Sequence, residues 1–243
     1  MKEQEELEYC KKCKKESSDN YCSNCGTSKE LKRINKQYII DEVGSILNFD
    51  KGIFYTTKEL LIRPGKTVKE FVLNDRNRLV KPIVFIIICS LIYTISQQIF
   101  QFEDGYVNYS FDKDSASTTI FDWVTANYGY SNFLISIFIA LWIKIFFRKS
   151  AYNFFEILIL LCFVMGSGML IFSLFGIIDS YTTLKIVDKG FFIGVVYIIW
   201  AIAQFFEGKR VINFLKAMFS YSLGIMTFTI AVLLIGFLID FIK

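Results

Sequence analysis

The 243-residue chain is 53% hydrophobic and 17% aromatic, with 26 Phe, 27 Lys/Arg, 23 Asp/Glu and no His. Soluble domains run about 45–50% apolar; here the excess sits in long runs after residue 81, so a polar region is joined to a lipid-soluble one. The missing His excludes His-based triads, His-ligated metals and the usual general base at neutral pH, and no G-x-x-x-x-G-K-[ST] stretch occurs, which excludes a P-loop ATPase.

The opening stretch, Met1 to Lys15, lacks an apolar h-region and a small-residue cleavage site, so the N-terminal region is expected to stay in the cytosol. Thiols remain reduced there and bind metal more often than they form disulfides. Cys10-x2-Cys13-x8-Cys22-x2-Cys25 supplies four thiolates as two pairs. Each Cys-x2-Cys lets two sulfurs of one tight turn reach the same ion, and four such ligands close a tetrahedral structural Zn2+ site. The set leaves no open coordination position, which argues against a catalytic zinc. Gly26 follows the last Cys, where the turn favours positive φ. Residues 1–28 therefore read as a cytosolic zinc ribbon with four cysteine ligands. Lys11, Lys12, Lys14 and Lys15 are surrounded by Glu3, Glu5, Glu6, Glu8 and Glu16, a balance that argues against a nucleic-acid patch.

Residues 29–81 read as a linker followed by three short amphipathic helices. Ile39, Val43, Ile46 and Leu47 share one helical face, as do Ile53, Phe54, Thr57, Leu60 and Leu61. Arg63-Pro64-Gly65 breaks the second helix. Thr67-x-x-Glu70 has capping-box form and predicts the start of the third. Such helices before a first span suggest a collar on the membrane surface; the alternative is that they pack into a small core. Arg63, Lys66, Lys69, Arg76, Arg78 and Lys81 are the candidate contacts to anionic lipid headgroups. The competing use of Arg76 or Arg78 is to cap carbonyls or to pair with Glu70 or Asp75.

Five apolar segments follow, at about 82–100, 131–147, 154–178, 190–206 and 219–242. A spanning helix needs around 20 predominantly apolar residues, with about 17 as the lower limit. The expected fold is thus all-α: a five-helix transmembrane bundle preceded by interfacial helices and the zinc ribbon. Arg148 and Lys149 follow the second segment, and Lys209, Arg210 and Lys216 the fourth, while the loop 101–130 carries Glu103, Asp104, Asp112, Asp114 and Asp122 against one Lys113. The Lys/Arg bias predicts a multi-pass inner-membrane topology with the N-terminus in the cytoplasm and the C-terminus outside. Asn108-Tyr109-Ser110 in that loop matches a glycosylation acceptor, a short pattern that depends on the host.

Charged residues near the segment ends, Lys144, Glu156 and Asp240, are placed to reach the interface. None sits at mid-membrane, where an ion path would need it. Gly166-Ser167-Gly168 and Ser220-x3-Gly224 suit close helix packing. Cys89 and Cys162 read as small buried hydrophobes.

The paired knuckles, the stretch Phe49-Asp50-x3-Phe54-x-Thr56, and LLIRPGKTVKEFVLNDRNRLVKP at 60–82 resemble a family of bacterial zinc-ribbon membrane proteins known as a domain of unknown function. The resemblance covers residues 8–95. Asn74 and Asp75 stand where that family has a Gly after the aromatic. What the resemblance implies is architecture and a bacterial source, without a mechanism.

Two functions stay open. In the first, a non-enzymatic membrane adaptor presents the zinc ribbon to a cytosolic protein, with the lipid bilayer and a second copy of the chain as further candidate partners. In the second, the chain is a small-solute transporter or channel component; a water-accessible cavity lined by Gln97, Gln98 and Gln204 would favour it.

Overall fold

The computed structural model describes Tyr9 and residues 13–15, 22–25, 52–102, 115–182, 186–206 and 211–242. The chain divides into two units, Met1–Ile46 and Leu47–Lys243. Residue 82, where the sequence puts the start of the membrane domain, lies inside the second unit. Among the described residues there are eight α-helices and no strand: α1 (Ile53–Ile62), α2 (Pro64–Leu73), α3 (Pro82–Phe100), α4 (Ala116–Ala126), α5 (Tyr128–Phe146), α6 (Phe154–Tyr181), α7 (Val187–Phe205) and α8 (Val211–Ile242).

α1 and α2 form a tight hairpin. Arg63 leaves the helical region (φ −147°, ψ 59°) because Pro64 follows it, and Pro64 then opens α2 at its first position. The expected capping box at Thr67 and Glu70 does not form. Thr67 Oγ1 donates to the Glu59 carbonyl of α1 instead (3.3 Å), and Glu70 pairs with Arg78. The two described helices of the expected collar also pack against protein. The hairpin buries its apolar face on α6 and α7, with Leu60 and Val68 fully enclosed and the Phe71 and Phe163 rings edge to face at 5.3 Å. Its backbone polar groups are met by the same helices: Tyr197 donates its hydroxyl to the Leu60 carbonyl (3.0 Å), and the Gln204 side chain accepts from the Gly65 N–H (2.7 Å). The amphipathic periodicity does mark helices, but the partner of the apolar stripe is protein. The helix expected from Ile39 to Leu47 lies outside the described residues.

α6 is the central rod. Two thirds of its apolar window is buried, against 28% for α3 and 17% for α8; α3, α5 and α7 pack against it, while α8 lies against α4, α5 and α7. An Asn153 capping box starts it: the side chain of Asn153 accepts from Glu156 N–H, and Glu156 accepts in return from Asn153 N–H. Gly166 sits against the Phe85 ring and Cys89, and Gly168 against Ile198. On α8, Gly224 faces the Ile139 backbone of α5. These small residues lie where helices approach most closely. The outer face of α3 is a stripe of Ile83, Ile87, Leu91, Ile95 and Ile99, all exposed. An exposed apolar face of that length is matched to lipid rather than water.

Among the described residues, four helices are long and apolar enough to cross a membrane: α3, α6, α7 and α8. The second expected span, 131–147, is not among them, because the described apolar stretch of α5, Tyr130–Phe146, is shorter. α8 begins at Val211, eight residues earlier than expected. The long loop is partly helical: Ser115 caps α4 by accepting from Thr118 N–H, and Ala116 N–H donates to the Asp240 carboxylate near the end of α8 (3.0 Å). Asn108, Tyr109 and Ser110 lie outside the described residues.

Candidate metal centre and charged hairpin

In the first unit, Cys13, Cys22 and Cys25 bring their sulfurs within 4.8 Å of one another, with Cys13 and Cys22 Sγ 3.5 Å apart. Zn–S bonds of about 2.3 Å at tetrahedral angles put sulfurs roughly 3.8 Å apart. The triad thus fits one soft divalent ion, and Cys10, the fourth expected ligand, lies outside the described residues. Lys14 holds the turn after Cys13 in the left-handed region (φ 59°). Lys15 Nζ donates to Asn24 Oδ1 across the two knuckles (2.9 Å). Cys22 is buried. The N–H groups of Cys25 and Asn24 favour its thiolate, but burial and the neighbouring sulfurs outweigh them and push the thiol up to about 11. A bound cation reverses that balance, since thiolates are what a metal ligates.

In the second unit, the six expected headgroup contacts divide. Arg78 is committed to protein: it reaches Tyr55 Oη (2.9 Å), Glu59 (2.7 Å) and Glu70. The Tyr55 hydrogen bond and the nearby Glu70 carboxylate hold its guanidinium pKa above the ordinary value. Arg63 shares Glu59 at 2.6 Å. Arg76 leans toward the Val72 carbonyl (3.5 Å) and is otherwise exposed. Lys66 stays 3.9 Å from Glu70 with its side chain mostly exposed, and Lys81 is exposed. Lys69 lines a cavity together with Leu73 of α2. Sequence spacing alone flags Glu59–Arg63 and Lys66–Glu70 as helical i,i+4 pairs. The Arg78 partners are eight to twenty-three residues away; Glu70 is the competing partner named from the sequence, while Tyr55 and Glu59 carry no local signal.

The three glutamines do not gather. Gln204 is spent on Gly65, and neither of the two cavities described among these residues is lined by Gln97, Gln98 or Gln204. One cavity, about 350 Å³, is walled mainly by apolar groups of α6 and α7, with Asn132 and Asp188 at its polar margin. Cys89 and Cys162 are buried thiols of the bundle.

Residues 50–94 match a family described as a protein of unknown function (DUF3667). The match takes in the α1–α2 hairpin, Arg78 and most of α3, and begins after Cys10, Cys13, Cys22 and Cys25. No curated protein and no solved structure matches the chain.

Proposed function

We propose that this multi-pass membrane protein is a non-enzymatic adaptor, in which a structural zinc ribbon of Cys10, Cys13, Cys22 and Cys25 faces the cytoplasm and offers a rigid surface to a protein partner. The observation that carries the reading is the convergence of three cysteine sulfurs at spacings a single Zn2+ fits. The bundle serves as the anchor. Its interior supports that role, since Phe163 packs against both Phe71 and Phe85, and Gln204 holds the hairpin rather than a water path.

In this reading α5 is a fifth span. Its support is the placement of helix ends. Ser180 at the end of α6 donates to the Phe100 carbonyl at the end of α3, while Asn213 of α8 donates to the Phe206 carbonyl at the end of α7. Lys144 near the end of α5 donates to the Tyr152 carbonyl just before α6. α3, α6 and α8 then run one way and α5 and α7 the other, as five successive crossings require. Lys66, Arg76 and Lys81 stand at the cytoplasmic end, where exposed cations meet anionic headgroups.

The test is elemental analysis of the full-length protein in detergent. One zinc per chain is expected, and Cys22→Ser should lose it while α-helicity and elution stay unchanged. Metal-free native protein, or Cys22→Ser with full zinc, would end the metal reading. Solute uptake by reconstituted vesicles would replace the adaptor with a transporter.

A further inference from the structure

The end of the bundle that carries the α5–α6 turn holds a cavity of about 790 Å³. Its size is that of a small-molecule site. Among the described residues, four cations line it, Lys69 from α2, Arg148 and Lys149 from the turn after α5, and Lys216 from α8, against one carboxylate, Glu156. Glu156 is already engaged, accepting from Asn153 N–H (2.8 Å) in the capping box. Lys216 Nζ is held 5.5 Å from the centroid of the Phe147 ring, which itself stacks on Phe206 at 4.0 Å. Ser150, also in the wall, has a buried Oγ with no hydrogen-bond partner among the described residues. An orphaned buried hydroxyl is costly, and like-charged ammonium and guanidinium groups around one cavity repel. An anion with several acceptor oxygens relieves both.

We propose that this cavity binds a phosphate-bearing anion, with Arg148 as the forked donor, Lys149, Lys216 and Lys69 as point charges and the aromatic wall against the rest of the ligand. Arg presents paired donors that match phosphate oxygens, and Lys adds charge without directional demand. Phosphate at such a place has two sources, a lipid headgroup entering from the leaflet or a soluble phosphate from the aqueous side. The site is separate from the cysteines, so its failure leaves the adaptor reading standing.

The full-length protein in neutral detergent is titrated with dioctanoyl phosphatidic acid, with dioctanoyl phosphatidylcholine and with inorganic pyrophosphate, at low and at high salt. Saturable, salt-sensitive binding of phosphatidic acid, at least tenfold tighter than phosphatidylcholine, is expected; each cation near a phosphate surface contributes about fivefold. Pyrophosphate binding as tightly as the lipid would assign the soluble source, and lipid binding alone the headgroup. Arg148→Gln with Lys149→Gln should weaken either ligand by at least tenfold, while Arg148→Lys with Lys149→Arg, which keeps both charges, retains most of it. Lys189→Gln, an exposed cation outside the cavity, should change nothing. Both cavity positions are exposed, so the fold tolerates them. Binding equal for the two lipids and absent for pyrophosphate, or unchanged in the double Gln variant, overturns the proposal.

Discussion

A single missing Cβ sets how closely α2 approaches α7. A Cβ at Gly65 would lie 2.5 Å from the Gln204 carbonyl carbon and closer still to the Phe205 nitrogen. Both are backbone atoms that cannot swing aside. Gly65→Ala must therefore open the seam and strain the Gln204 hydrogen bond, and overpacking of this kind costs about 1–3 kcal/mol. Gly194 is the control. Its added Cβ meets only the Gly168 carbonyl oxygen at 3.7 Å, an ordinary contact. There the gain in helix propensity, about 0.5–1 kcal/mol, should prevail. Thermal unfolding of the full chain in detergent should show Gly65→Ala melting earlier than the native protein and Gly194→Ala no earlier. Equal loss in both variants would mean that backbone approach is not what Gly65 supplies. Lys14 makes the complementary point in the first unit, holding a left-handed turn with a side chain where the second knuckle has Gly26.

The α1–α2 hairpin is the element whose charges decide its position. Arg78 gathers Glu59 of α1 and Glu70 of α2, so one guanidinium ties both helices to the segment leading into α3. All three side chains are less than a third exposed, which keeps the interaction above the negligible level of surface pairs. Arg78→Met leaves two carboxylates close together without this cation, and the expected loss is about 1–3 kcal/mol. Hydrogen exchange should speed across Ile53–Leu73 and stay unaltered in α8. Arg78→Lys should recover only part of the protection, since an ammonium cannot serve both carboxylates with the fixed fork. Full protection in the Met variant would reduce the network to a bystander of apolar packing by Leu60, Val68 and Phe71.

For the molecule as a whole, the two ends of the bundle differ in charge. Lys69, Arg148, Lys149 and Lys216 surround the cavity at one end, while Asp179, Asp188 and Asp240, with Lys189, belong to the helix ends at the other. The Lys/Arg-rich end should face the cytoplasm. A reporter active only outside the cytoplasm should work when fused after Lys243 and stay silent at Glu30. Silence at both sites would mean that α5 does not cross and that the four long helices are the only spans. Activity at Glu30 would invert the whole molecule.

Apolar run length was enough to place α3, α6, α7 and α8 from the sequence, because a lipid-facing helix must satisfy its own backbone and so announces itself locally. Cysteine spacing was likewise enough to pick out Cys13, Cys22 and Cys25, since two sulfurs on one tight turn are a local arrangement. The rest depended on residues far apart in the chain. The apolar stripe of α1 and α2 reads the same whether lipid or protein covers it, and only the fold shows Phe163 and Tyr197 against it. Arg78 reads either as a headgroup contact or as a partner of Glu70, and only the fold chooses Glu70 and adds Glu59 and Tyr55. The basic cavity draws on four segments between Lys69 and Lys216, so no window of sequence contains it. Hydrophobicity and ligand spacing act over a few residues and are written in order along the chain; ion pairing and cavity lining act across space, and only tertiary packing fixes which charges meet.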